Sequence, residues 1–324
     1  MKHLPFLLLI STTLLLSVRA IAQREYTTTN YTHELSPLKV SLTVIGIEDV
    51  LTPITAGLLV EGQLKDKIFY NVQFRQGYLR NFMISKSNLI TTQKESKGTV
   101  FEAGIDLPFS DKIKPGKVKV TTSLGLSYDG NYLLEKYFKA DCDVRKYWAF
   151  NGGILYYNRP EYINSDSAFY IISGNENIKA PKDQFTHFNQ STFGFYAGIV
   201  NRKIKKALVK NGGVSYGVYY STKFYAQALI GNTSIGDIVF NNQPYRIDNS
   251  VQMPLGYRIG WQWDQNGVVT GFEFGKMPGV KLETPVERSQ LSKIFAHNPF
   301  LNYLRVTFHF TLFNGDKRYG MNGR

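Results

Sequence analysis

The residues of this chain best suited to chemistry are few, and their spacing is uninformative for catalysis. Five histidines and one cysteine are present. His3 stands at the extreme N-terminus, and His33, His187 and His297 read as lying in a polar lead-in or in loops. No two histidines have the i, i+4 separation that places both on one face for a metal. His309 alternates with Arg305 in Asn302–Phe313 and is the best candidate for a base. A hydrolytic pair would need a nucleophile within hydrogen-bond reach of it, and no such signature is written in the sequence. Cys142, alone, excludes a disulfide framework and a four-cysteine zinc site. No catalytic residue, metal ligand or cofactor site is therefore expected. What remains is charge: 38 Lys and Arg against 25 Asp and Glu, a net of +13.

These groups must be positioned by strands. In Lys117–Tyr128, Val118, Val120, Leu124, Leu126 and Tyr128 alternate with Lys117, Lys119, Thr121, Ser123 and Ser127. In 251–263, Val251, Met253, Leu255, Tyr257, Ile259, Trp261 and Trp263 alternate with polar or tiny residues, and 213–230 repeats the pattern. A period of two over such lengths marks strands with one apolar face. Soluble strands run about 5 to 6 residues, whereas bilayer-crossing strands need roughly 9 to 11 with apolar-out, polar-in alternation. The composition, 43% hydrophobic, 14% aromatic and 19% charged, excludes disorder, collagen and coiled coil.

The N-terminus reads as an export signal over 1–22. Lys2 and His3 precede an apolar run from Leu4 to Val18, and Ala20-Ile21-Ala22 forms a small-x-small cleavage site before Gln23. No later run is long and apolar enough for a transmembrane helix. The expected organisation is a signal peptide 1–22, a periplasmic lead-in 23–37, a barrel 38–313 and a C-terminal periplasmic tail 314–324.

The fold expected is all-β, an antiparallel transmembrane barrel of about 12 strands, within a range of 10 to 14. The strand runs are 38–46, 54–63, 66–78, 98–107, 117–128, 132–144, 147–157, 192–202, 213–230, 251–264, 267–275 and 301–313. The connections sort into short periplasmic turns (Leu64-Lys65, Ser110–Gly116, Arg145-Lys146, Lys203–Gly212 and the Asn266-Gly267 hairpin) and long extracellular loops near 79–97, 158–191, 231–250 and 276–300. Asp129-Gly130-Asn131 is the exception, a short turn on the side assigned to the long loops.

The alternation points one set of residues inward. Arg75, Glu102, Lys117, Lys119, Glu135, Lys139, Lys223, Arg258, Glu273, Arg305 and His309 are the expected lumen-lining residues, with Asp106, Arg145 and Arg202 beside them. Such a lining reads either as an anion-biased path or as paired charges that fill a narrow barrel. Inward glycines, among them Gly104, Gly217, Gly256, Gly260 and Gly271, leave room or relieve curvature. Cys142 falls on the outward register with Phe138, Ala140 and Val144, as a small lipid-facing residue. Tyr147, Trp148, Tyr156, Tyr157, Trp261 and Trp263 read as interfacial girdle. The basic run Arg202–Lys210 reads as a periplasmic turn touching anionic headgroups or as a solvated turn; export argues against nucleic acid.

The last strand, Asn302–Phe313, with Leu304, Val306, Phe308, Phe310 and Leu312 on one face, resembles the closing strand of bacterial outer-membrane β-barrels. The Tyr, Asn and Lys richness and the Gln after the signal site resemble those of the Bacteroidetes group. In that family the aromatic strand usually ends the chain, whereas here Asn314–Arg324 follow. The resemblance implies the outer membrane of a Gram-negative bacterium, outer-membrane lipids as surroundings and the barrel-assembly machinery as a partner in biogenesis. It implies no subfamily and no oligomeric state.

The function expected is non-enzymatic: passage of small solutes with an anion bias, or a structural or assembly role. The alternatives are a lipid-modifying barrel enzyme built around His309, and a secreted soluble β-sandwich binding module that would bury Trp261 and Trp263.

Overall fold

A computed structural model describes residues 27–29, 36–47, 54–64, 67–79, 97–126, 133–164, 169–173, 176–180, 185–211, 214–240, 243–248, 250–282 and 303–314. Its elements are β1 (Thr27–Thr29), β2 (Lys39–Ile47), β3 (Ile54–Leu64), β4 (Ile68–Leu79), β5 (Thr99–Leu126), β6 (Leu133–Asn164), β7 (Phe169–Ser173), β8 (Glu176–Ala180), β9 (Phe185–Asn211), β10 (Val214–Ile235), β11 (Ile238–Phe240), β12 (Gln243–Tyr245), β13 (Ser250–Met253), β14 (Leu255–Gln265), β15 (Val268–Lys276), β16 (Gly279–Leu282) and β17 (Tyr303–Asn314). The expected signal segment 1–22, the Asp129-Gly130-Asn131 turn, most of the lead-in, His33, His297 and the tail beyond Asn314 lie outside the described residues.

Ten antiparallel strands close on themselves in the order β2-β3-β4-β5-β6-β9-β10-β14-β15-β17, with β17 returning to β2. Closure removes the unpaired edges an open sheet of this size would expose. The count is ten rather than twelve because four expected strands are two. The runs 98–107 and 117–128 are continuous in β5, and 132–144 and 147–157 are continuous in β6. The expected turns at Ser110–Gly116 and Arg145-Lys146 are strand, with Pro115 opposite Asp143 and Lys112 opposite Lys146. β4 stops pairing with β5 at Asp106, so Pro108 and Pro115 fall where β5 is an edge strand and a missing N–H breaks no ladder. A bulge at Phe109 absorbs the one-residue slip.

The fusion also resolves the exception in turn length. Leu126 and Leu133 pair at the same end as the connections Leu64 to Ile68, Asn211 to Val214 and Gln265 to Val268. The last of these is an Asn266-Gly267 hairpin with both residues at positive φ, 50° and 92°, as a two-residue turn requires. The opposite end carries the long connections, in which the small pairs β7–β8, β11–β12 and β13–β16 form. The expected loop 158–191 begins and ends as wall, with Asn158–Asn164 paired to Phe185–Ser191. His187 accordingly sits in β9 rather than in a loop.

At the short-connection end two hairpins outrun the barrel. β6 and β9 pair only as far as Val144–Lys205, and beyond this point they part. β1 takes the vacated edge of β9, with Thr27 to Thr29 opposite Lys210 to Leu208. The β5–β6 arm turns so that its outward face meets the outward face of β9–β10. Val118, Val120, Ala140 and Cys142 pack on Ala207, Val209 and Val218, with Phe138, Val144 and Tyr220 at the border. Lys205 Nζ ties the arms by donating to the carbonyl of Lys117 at 2.8 Å. Cys142 thus has the expected register but a different neighbour: the chain itself covers it, and it is 3% exposed. The basic run from Arg202 to Lys210 is strand, not turn, with Arg202 and Lys206 buried.

Candidate functional site

The wall of the barrel is inverted relative to a soluble core. Leu58, Phe74, Ile105, Phe150, Phe195, Ile199, Phe224, Trp261, Phe272 and Phe308 are all exposed on its outer face, while arginines, carboxylates and amides are buried inside. An apolar belt of this extent is far larger than the scattered apolar residues a soluble surface tolerates.

Inside, the period of two brings charges from opposite walls together. Glu102 of β5 meets two guanidinium groups across the barrel. Its Oε2 accepts from Arg258 of β14 at 2.8 Å and its Oε1 from Arg305 of β17 at 2.6 Å. Glu273 of β15 completes the square, 3.0 Å from Arg305 and 3.7 Å from Arg258. The hydroxyl of Tyr157 donates to Glu102 and that of Tyr225 to Glu273. Gln227 links Arg258 to Asn151, which also donates to Asp106, and Lys223 pairs with Asp106 at 3.0 Å. Every carboxylate in this layer has a cationic or hydroxyl partner, the condition under which buried charge is tolerated.

A second layer lies nearer the short connections. Lys39 pairs with Asp264 and, at 3.9 Å, with Glu61. Arg202 reaches Glu61 at 3.7 Å and donates from Nε to Ser221 at 3.0 Å. His309 Nδ1 and Thr43 Oγ1 are hydrogen-bonded at 2.8 Å between the layers. At the rim, Arg145 grips Asp111 at 2.6 Å and lies over the ring of Phe69, which stacks on Tyr147 at 4.5 Å.

Tyrosines fill what the charges leave. A Cβ on Gly104 would stand 1.9 Å from the Tyr196 hydroxyl, and one on Gly260 would stand 2.2 Å from the Tyr225 ring. These two inward glycines therefore seat aromatic rings across the lumen instead of leaving it open, which corrects the expectation of free space there. The cavity among Glu102, Arg258, Glu273, Arg305, Lys223 and His309 holds about 50 Å³, room for a few water molecules.

Of the expected lumen residues, Glu102, Lys223, Arg258, Glu273, Arg305 and His309 line this one cavity. Arg75 is buried on the inner face of β4. Lys117, Lys119 and Lys139 do not line it. They lie exposed on the β5–β6 arm, beyond the closed wall, because the strands that carry them are continuations of barrel strands and not separate barrel staves. Glu135 is on the same arm, opposite Leu124. Tyr147 and Tyr157, expected in the girdle, point inward and are buried, whereas Trp148, Trp261 and Trp263 are exposed outside. Lys39, Glu61 and Asp264 were missed by sequence reasoning, although Lys39 and Glu61 alternate with outward Val40 and Val60 and were legible by the same period.

No protein-family model, curated protein or solved structure matches this chain. The site must be read from its own chemistry. Among the described residues no three His, Cys, Asp or Glu side chains gather as a metal site. The His309–Thr43 pair is the nearest approach to a base and a hydroxyl, but both side chains are 2% exposed or less and face the filled lumen. The arrangement clamps opposite walls together with paired charges.

Proposed function

We propose that this chain is a membrane-spanning barrel of the outer membrane of a Gram-negative bacterium, with its lumen closed by side chains and a structural or assembly role exercised at its two ends. The observation that carries the reading is the cross-lumen square of Glu102, Glu273, Arg258 and Arg305. It occupies the path a solute would take, and the cavities of about 50 Å³ and 20 Å³ beside it accommodate water and little else. The exposed apolar belt supports the membrane, and the segregation of short connections from long ones supports an orientation with the arms in the periplasm. Lipid hydrolysis is disfavoured because His309 faces the lumen, out of reach of an acyl chain in the surrounding bilayer.

The test is to refold the mature chain into detergent, compare its gel migration with and without heating, and reconstitute it in planar bilayers. The expected result is heat-modifiable migration without stepwise conductance. Stepwise conductance in the unaltered protein would overturn the closed lumen, and a chain that stays soluble without detergent would overturn the membrane reading.

A further inference from the structure

The pairing register sets three lysines side by side on the outer face. Lys112 of β5 is opposite Lys146 of β6, and Lys146 is opposite Lys203 of β9. Neighbouring strands are roughly 4.8 Å apart, so the first and third backbone positions lie only about 10 Å from one another. All three are exposed, and none has a carboxylate partner among the described residues. The row continues through Thr222 of β10 to Trp263 of β14. Asp111, the acid nearest in sequence, is engaged by Arg145 at the rim.

Like charges directly opposite on paired strands are destabilising, and here the conflict occurs twice in one row. Lysines often guard strand edges against aggregation. That explanation fails for Lys146 and Lys203, whose strands are paired on both sides at this level. Immediately toward the barrel centre on the same face stand Trp148 and Phe150, the latter in register with Ile199. The row therefore forms the lower border of the apolar belt, where headgroups of a surrounding bilayer meet the wall.

We infer that Lys112, Lys146 and Lys203 form a binding site for the phosphate of an anionic phospholipid in the periplasmic leaflet, with its acyl chains lying against Trp148, Phe150 and Ile199. The inference rests on the membrane placement proposed above. Each lysine near an anionic lipid surface is worth about 1 kcal/mol, or roughly fivefold in affinity, so the set supplies on the order of a hundredfold. Thr222 adds a hydroxyl and Trp263 an interfacial indole to the same row.

The test uses the full chain in nonionic detergent and counts bound lipids by native mass spectrometry during titration with phosphatidylglycerol or phosphatidylcholine. The expected result is preferential retention of phosphatidylglycerol, weakened about a hundredfold in Lys112→Gln/Lys146→Gln/Lys203→Gln and restored by arginine at the same positions. Lys117→Gln/Lys119→Gln/Lys139→Gln, on the arm, should leave retention unchanged. Equal retention of both lipids, or equal loss in the arm variant, overturns the site. Displacement of the lipid by millimolar inorganic phosphate overturns the assignment to a lipid. Heat-modifiable migration is checked on each variant: its presence without lipid preference sinks this inference alone, and its absence from the unaltered protein sinks the membrane reading beneath it.

Discussion

The barrel wall and the arm below it are built from the same strands and treat their apolar face in opposite ways. In β6, Trp148 and Phe150 stand exposed while Tyr147 and Ala149 are buried; a few residues earlier Ala140 and Cys142 are buried while Lys139 and Asp141 are exposed. The outward register is apolar in both sections. What differs is the cover: in the arm the chain folds back and supplies it from Ala207, Val209 and Val218, and around the barrel none of the described residues does. The membrane placement proposed above accounts for this contrast, because it puts the two sections in different media. The polar face follows the same logic, paired and buried inside the barrel, solvated on the arm.

The largest expected effect separates the two kinds of charge. Arg305→Leu leaves Glu102 and Glu273 with one guanidinium where they had two, inside a filled lumen, and should cost about 3–5 kcal/mol of barrel stability. Lys117→Leu removes a 3.6 Å pair with Asp141 whose side chains are 63% and 81% exposed, and should cost at most about 1 kcal/mol. Urea unfolding followed by loss of heat-modifiable migration measures the first, and limited proteolysis of the arm strands in urea measures the second. Equal losses would mean that the lumen network is as hydrated as the arm.

A charge on the outer face comes next. Phe150→Arg puts a cation on a belt position that is 61% exposed, and in a bilayer it should cost about 2–4 kcal/mol. Tyr137→Arg, 53% exposed on the arm, loses only an exposed contact of its ring with Lys119 at 4.4 Å and should cost at most about 1 kcal/mol. In water neither position would be penalised beyond that, so comparing refolding into vesicles for the two variants isolates the medium.

The architecture was legible in the sequence because a period of two is a local property: it gave the inward set that meets at Glu102, Arg258, Glu273 and Arg305. What the period does not carry is where a wall ends. Ser110–Gly116 reads as a turn between two runs, and only the long-range fact that β4 leaves β5 at Asp106 makes that stretch an edge where Pro115 is harmless and the strand continues. The same absent information misplaced Lys117, Lys119 and Lys139 in the lumen and Cys142 against lipid. Tyr157 reads as girdle from the sequence because a tyrosine suits both a girdle and a lumen, and its burial depends on Glu102 and Arg305 arriving from other strands.

Packing between the arms sets a smaller effect. Val120→Ala removes two methylene equivalents from a fully buried position and should loosen the arms by roughly 1.5 kcal/mol. Limited proteolysis should show faster cleavage in the arm strands with barrel migration unchanged. If the barrel melted with the arm, the two sections would be one cooperative unit and the contrast between them would be one of surroundings only.

The smallest expected effect reads the arm through its cysteine. Burial pushes the Cys142 thiol above its ordinary range, opposed by Lys205 and reinforced by Asp143 and Asp141. The folded arm thus holds the neutral thiol more tightly than the unfolded chain does. A group whose folded pKa is raised contributes stability that is fully present below its unfolded pKa, near 9, and is lost as pH rises through the folded value. Between pH 7 and 8 thiol-directed maleimide should react slowly, both because little thiolate forms and because the sulfur is 3% exposed. Above pH 9 protease protection of the arm should decline slightly more in the unaltered protein than in Cys142→Ala, whereas the barrel, having no part in the cysteine's titration, should keep its migration throughout. Val120→Ala should raise the maleimide rate at pH 7.5 by opening the arms without altering the thiol's intrinsic acidity. A fast reaction in the unaltered protein at that pH would show that the two outward faces are not held together, and that the arm's apolar register is left as bare as the barrel's.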